Sequence, residues 1–195
     1  RQQDGQVKDM FFTRVFEYIL KRTSENHFQK LRHECLIALD FIKKLHTQRG
    51  EKKIPLSLSE VRALSNVVVS SLGLAFETSH PSLICVAIKC FQKMMVYGYL
   101  HDGILDLSNK SNNTNNTNNT NGIDNEARLV TRVVRLLASF HDFPDKGVQK
   151  HVIKGLLIST TSPTCSIHGK ALMLVVRTIY NMHLMSRNGD VQASS

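Results

Sequence analysis

No apolar run in this chain approaches the roughly eighteen consecutive residues that a helix needs to cross a bilayer, so no membrane-spanning segment is expected. The amino terminus shows no succession of charged, apolar and small residues of the secretory kind. It opens RQQDGQ without an initiator Met, and the chain reads as a piece of a longer protein. Tryptophan is absent. The four cysteines, Cys35, Cys85, Cys90 and Cys165, are scattered through apolar helical patterns instead of forming a disulfide framework, so reduced thiols and a cytoplasmic setting are expected. No stretch alternates at period two, which argues against a sheet. Neither a Gly-rich phosphate loop nor a nucleophile elbow occurs. His33 with Cys35, and His80 with Cys85, lack structural-zinc spacing and a second ligand pair. No catalytic residue, metal or cofactor is therefore assigned, and His141-Asp142 beside Pro144 reads as turn chemistry.

What is present is helical periodicity and positive charge. A first helix is expected over about Lys8 to Arg22, with Phe11, Val15 and Ile19 on one face, and a second over about Ser24 to His46. The second carries a stripe of Phe28, Leu31, Cys35, Leu39, Ile42 and Leu45. After the basic linker QRGEKKIP, Ser57-Leu58-Ser59-Glu60 forms a capping box, since each side chain can satisfy an orphan amide of the same first turn. A fourth helix starts at Ser79-His80-Pro81, Pro being tolerated where no amide bond is lost. Further helices are expected over about Asp124 to Phe140, Asp145 to Thr161 and Ser166 to Ser186. The third with the fourth, and the fifth with the sixth, each span roughly forty residues, the period of armadillo and HEAT units. The expected fold is all-α, an armadillo/HEAT-like stack of about seven helices forming one helical-repeat domain over 1–195. An Asn/Thr-rich loop at about 106–123, with three NNT units, is too poor in apolar residues to offset its ordering entropy and is expected to be disordered. A compact helical bundle is the alternative architecture.

The stretch CVAIKCFQKMMVYGYLHDG concentrates the functional signal. At about 100° per residue, Ile84, Ala87, Ile88, Phe91, Met95 and Gly98 fall on one side, with Ala87 and Gly98 small enough for close helix approach. The opposite side carries Lys89, Gln92 and Lys93, then Val96, Tyr97 and Leu100. Either a neighbouring helix covers this apolar end, or it is a protein-binding patch rimmed by lysines.

KCFQKMMVYGYL, with MFFTRVFEYIL near the amino end and GVQKHVIKGLLISTTS and VVRTIYNMHLMSRN further on, resembles in order and spacing the N-terminal DCB (dimerisation and cyclophilin-binding) domain of large Arf guanine-nucleotide exchange factors. The brefeldin-A-inhibited, trans-Golgi subfamily is the nearest match, and the resemblance runs from Met10 to Asn188. The Asn/Thr-rich loop and the short tail after Asn188 depart from the family pattern. The resemblance implies a regulatory, non-catalytic helical-repeat module. Such a module self-associates, packs against the adjacent helical domain of the same protein, and is recruited peripherally to the trans-Golgi network through an Arf-like small GTPase in its GTP form. Exchange activity would reside in a separate catalytic domain.

The net charge of +9 favours an acidic partner. Arg128, Arg132 and Arg135 share one face of the fifth helix, Lys146, Lys150 and Lys154 one of the sixth, and Lys170, Arg177 and Asn181 one of the seventh, away from Ala171, Leu174, Val175, Thr178 and Met182. Each row is either a solvated face or a flank for an acidic protein or an anionic membrane. Aromatic residues are not interleaved with the rows and no helix-turn-helix signature occurs, so nucleic acid is the weaker reading. The candidate partner-binding residues are Lys89, Lys93, Val96, Tyr97, Leu100, Arg177 and Asn181. A generic helical-repeat scaffold, or a basic repeat binding nucleic acid, stands as the alternative function.

Overall fold

The computed structural model describes residues 4–23, 27–49, 56–108 and 128–192, and within them the chain is all-α, with seven helices. Contacts divide it into two compact units, Arg1–Lys93 and Met94–Ser195.

The first unit holds α1 (Asp4–Arg22), α2 (Gln29–Arg49), α3 (Leu58–Glu77) and all but the last turn of α4 (Pro81–Val96). On α1, Phe12, Phe16 and Ile19 share one stripe and are fully buried, whereas Val15, expected on the buried face with Phe11 and Ile19, is only half-buried. Leu31, Cys35, Ala38, Leu39 and Ile42 give α2 a matching buried stripe, and α2 packs against both α1 and α3. The carboxyl end of α1 is held by a charged side chain of α2. Arg32 Nη1 donates to the Leu20 carbonyl at 2.8 Å and to the Thr23 carbonyl at 2.6 Å, supplying donors to carbonyls that a helix end leaves orphaned. Buried Thr23 turns its own hydroxyl back onto the Ile19 carbonyl at 2.9 Å. The capping box at α3 forms as its sequence pattern dictates: Ser57 Oγ accepts from the Glu60 amide at 3.3 Å, and Glu60 Oε2 accepts from the Ser57 amide at 2.7 Å. The hydroxyl of Ser71 donates to the Glu34 carbonyl at 3.2 Å, tying α3 to α2. Phe76 of α3 stacks on Phe91 of α4, with ring centroids 6.0 Å apart. The basic linker after α2 lies outside the described residues from position 50 to 55.

The second unit begins with the end of α4. Gly98 has φ +77, the left-handed conformation that L residues with a Cβ adopt only at a cost. The Tyr99 amide donates back to the Met94 carbonyl at 2.8 Å and the Gly98 amide to the Met95 carbonyl at 3.3 Å, the two bonds of a Schellman stop. A Cβ placed on Gly98 would meet nothing within 4 Å, so its role is to reverse the backbone, not to admit a neighbouring helix. Beyond the stop, Leu129 donates its amide to the Ile104 carbonyl at 2.9 Å, and a lone antiparallel bridge pairs Leu105 with Arg128. The extended backbone that this pairing demands makes Arg128 the N-cap of α5 (Leu129–Ala138), so among the described residues the helix starts later than its periodicity suggested. Of the Asn/Thr-rich loop, the part from residue 109 lies outside the described residues. Asp106, just before it, is buried and accepts from the Ser108 amide at 3.0 Å and from Arg132 Nη1 at 3.2 Å.

Asp145 caps α6 (Lys146–Thr161) by accepting the Val148 amide at 2.8 Å. The left-handed residues Ser166 and Gly169 delay α7 (Gly169–Gln192) by about one turn relative to the expected start. The helices α5, α6 and α7 pack pairwise around Val130, Val133, Leu137, Val148, Val152, Leu156 and Val175. All four cysteines are free thiols. Burial pushes the Cys35 thiol up to about 12 and raises the Cys90 and Cys165 thiols as well, so these sulfurs are poor nucleophiles at neutral pH.

Two substitutions test these terminations. Replacing Arg32 by Ala should lower stability by about 1–2 kcal/mol, the value of charge-assisted bonds at a half-buried site. Thermal and urea unfolding would report it. Gly98→Ala should cost about 1–2 kcal/mol of backbone strain, whereas Gly98→Asn should cost less, Asn being tolerated at a left-handed helix end. Equal stability of the two variants would contradict the Schellman assignment.

Candidate protein-interaction surface

The Schellman stop decides which residues of the stretch from Cys85 to Gly103 face outward. Because α4 ends at Val96, the helical angle no longer governs the residues beyond it. Val96 and Tyr97 stay exposed, at 62% and 43%. Leu100, placed by periodicity on the same outer face, turns inward and is 0% exposed. Its amide donates to the Met94 carbonyl at 3.2 Å and its carbonyl accepts from Cys165 Sγ at 3.3 Å. Leu100 is thus core, and the outer apolar pair is Val96 with Tyr97. Gln92, expected outward, is buried too. In the first unit, Lys89 and Lys93 are exposed one turn apart, and Lys93 Nζ lies 5.2 Å from the centre of the Phe11 ring, within cation–π reach.

The candidate basic face on α5 is largely consumed inside the second unit. Arg132 Nη1 bonds Asp106 Oδ1 at 3.2 Å and Ser108 Oγ at 3.1 Å, with the Asp106 side chain buried. Arg128 Nη1 stands 3.8 Å from Asp102 Oδ2. Both guanidinium groups therefore brace the segment between α4 and α5, and only Arg135 of the three is an exposed residue. The two acidic partners lie more than twenty positions away in sequence, beyond any helical-face reasoning. Lys146, Lys150 and Lys154 remain exposed along α6, as expected.

On α7, Ala171, Val175, Thr178 and Met182 are buried, and Arg177 is exposed with Asn181 half-buried beside it. Sequence reasoning passed over the rest of the outer surface. Leu172, Met173, Val176, Tyr180 and Leu184 form a continuous exposed apolar stripe, with Met173 at 68% and Tyr180 at 61%. Residues spaced by three and four share a helix face, so these side chains are neighbours. Two signals could have exposed it. The seventh helix is apolar on both sides, more than one buried face requires. No Asp or Glu occurs between Asp145 and Asp190, while Lys146, Lys150, Lys154, Lys170, Arg177 and Arg187 do. An apolar stripe on a helix whose charged residues before Asp190 are all basic suits a partner that is apolar at its centre and acidic at its rim.

The chemistry available elsewhere is slight. Among the described residues, no group of three or more His, Cys, Asp or Glu side chains could hold a metal ion. His141 Nδ1 lies 3.0 Å from the Ala138 carbonyl, which makes it part of the turn after α5. Among the described residues no helix is long and apolar enough to cross a membrane.

The family model of the Mon2/Sec7/BIG1-like dimerisation and cyclophilin-binding domain matches residues 12–195. Brefeldin A-inhibited guanine nucleotide-exchange protein 1 of Homo sapiens is 30% identical over 196 residues, covering 93% of this chain and 10% of that protein. Brefeldin A-inhibited guanine nucleotide-exchange protein 3 of Arabidopsis thaliana is 26% identical over 193 residues, again 93% of this chain and 10% of the relative. ADP-ribosylation factor guanine nucleotide-exchange factor sec71 of Schizosaccharomyces pombe is 25% identical over 195 residues, covering 98% of the chain and 9% of the relative. The chain spans about a tenth of the length of the curated relatives it matches. With nearly every residue from Phe12 onward inside the match, this chain belongs to the DCB family, the Mon2/Sec7/BIG1-like dimerisation and cyclophilin-binding domains.

Proposed function

We propose that this chain is a non-catalytic regulatory and interaction domain of an Arf guanine-nucleotide exchange factor. It self-associates, docks to the adjacent helical domain of the same protein, and takes part in recruitment to trans-Golgi membranes through an Arf-like GTPase in its GTP form. The observation that carries the docking reading is the α7 stripe of Leu172, Met173, Val176, Tyr180 and Leu184, set in a stretch without acidic residues. An isologous contact between two such stripes would bring like charges together, so a helical partner with acidic flanks fits better than a second copy at this face. Arg177, with Asn181 beside it, orients that partner, and the lysines of α6 raise its rate of encounter.

Val96 and Tyr97 form the second surface and are assigned to the GTPase. Tyr offers a large amphipathic contact at low entropic cost, which is why it dominates many interfaces. Discrimination between nucleotide states requires only that the GTP form contact this pair better than the GDP form does.

Each surface has its own test. With the adjacent helical domain supplied as a separate polypeptide, Val176→Asp should weaken capture at least about tenfold by burying an unpaired charge, with circular dichroism unchanged. Undiminished capture would remove α7 from the docking reading. For recruitment, binding of GTP- and GDP-loaded Golgi GTPases to the chain and to Tyr97→Ala is compared. The substitution should cost about tenfold in affinity for the GTP form, as loss of a central aromatic contact does. Equal retention of both nucleotide forms by the unmodified chain would sink the recruitment role.

A further inference from the structure

The connector between α6 and α7 reads TTSPTCS, and of the four prolines in the chain only Pro163 follows a hydroxyl residue. Ser162 is the C-cap of α6, with φ −73 and ψ 123, the extended conformation that a following Pro imposes. Pro163 and Thr164 are exposed and Ser162 is half-buried. An extended Ser-Pro on an exposed connector is the substrate form of a proline-directed protein kinase.

The hydroxyl is also placed where a charge would have consequences. Ser162 Oγ reaches the Met95 carbonyl at 3.4 Å, and Thr164 Oγ1 reaches the same carbonyl at 3.3 Å, the two hydroxyls lying 2.9 Å apart. That carbonyl belongs to the last turn of α4 and also accepts the Gly98 amide. The Thr164 carbonyl accepts the Asp102 amide at 3.1 Å, and Cys165 Sγ donates to the Leu100 carbonyl at 3.3 Å. Ser162 therefore stands at the C-terminal ends of two helices, α6 and α4, both negative by their dipoles, with Asp102 on the segment next to it.

We propose that Ser162 is a phosphorylation site for a proline-directed Ser/Thr kinase, and that the phosphate unfastens the connector from the end of α4. In the transfer, Ser162 Oγ bonds the γ-phosphorus of ATP, the bond from that phosphorus to ADP breaks, and the hydroxyl proton passes to the kinase's base. The product carries close to two negative charges and no longer donates from Oγ, so it is repelled by both helix ends and by Asp102. The stitches at Met95, Leu100 and Asp102 then loosen together, and the backbone that presents Val96 and Tyr97 loses its fixed geometry. The consequence for the partner rests on the GTPase reading of Val96 and Tyr97; the modification itself does not.

The test phosphorylates the folded chain with a proline-directed kinase and ATP, maps the site by mass spectrometry, and measures amide hydrogen exchange without any partner present. The expected result is label at Ser162 and exchange at Gly98, Tyr99 and Leu100 faster by about tenfold, with α1 and α2 unchanged. Ser162→Glu should reproduce the change in part and Ser162→Ala should not. Because the label is added after folding, poor folding of the Glu variant does not blunt the result. A chain that stays unlabelled while a free TTSPTCS peptide is phosphorylated overturns the site. Label with unchanged exchange at those amides overturns the switch, and neither outcome bears on whether the GTPase binds.

Discussion

The second unit is organised by the reversal of the backbone at Gly98. A left-handed residue there lets Tyr99 and Gly98 return their amides to Met94 and Met95, and the chain leaves the axis of α4. That departure produces the burial of Leu100, the exposure of Val96 and Tyr97, and the run toward Ile104 that meets the start of α5. The Met95 carbonyl serves both the helix stop and the connector from α6, so the ends of two helices and the surface beside them share one acceptor. A single local conformation thereby separates buried Leu100 from exposed Val96 and Tyr97.

Charge in this protein serves two different ends. Arg128 and Arg132 sit against Asp102 and Asp106, where they fasten the segment after α4 to α5. The buried position of Asp106 makes that pairing obligatory, since a carboxylate taken from water needs its partner in place. Arg32 likewise spends its charge on the carbonyls that end α1. The cations of α6 and α7 are different in kind. They lie in a stretch with no acidic residue at all, and on α7 they flank exposed Leu, Met, Val and Tyr side chains. In the docking reading proposed for that face, apolar area would supply the drive to associate and the uniform sign would select what can approach.

Membership of the DCB family suits such a division of labour. A domain that regulates by contact needs helices with two apolar faces, one spent on its own core and one kept for another surface. On α7, Ala171, Val175 and Met182 point to the core, while Val176 and Tyr180 stand outside. The buried thiols and the turn-bound His141 add no reactive group to the exposed surfaces.

Much was legible from residue order alone. The all-α class, the stripe of α2, the capping box at Ser57 and the start of α4 at Pro81 arise from interactions within three or four residues, which a linear pattern records completely. The family resemblance was carried the same way, by collinear segments. What the order of residues could not decide was where periodicity stops applying. Gly98 was compatible with close packing or with a left-handed stop, and only the folded backbone chose, sending Leu100 inward. The fate of Arg128 and Arg132 depended on carboxylates far off in the chain, and the exposure of the α7 stripe on which side of that helix its neighbours covered. Local hydrogen bonds are written in sequence; burial and ion pairing are set by residues that meet only when the chain has folded.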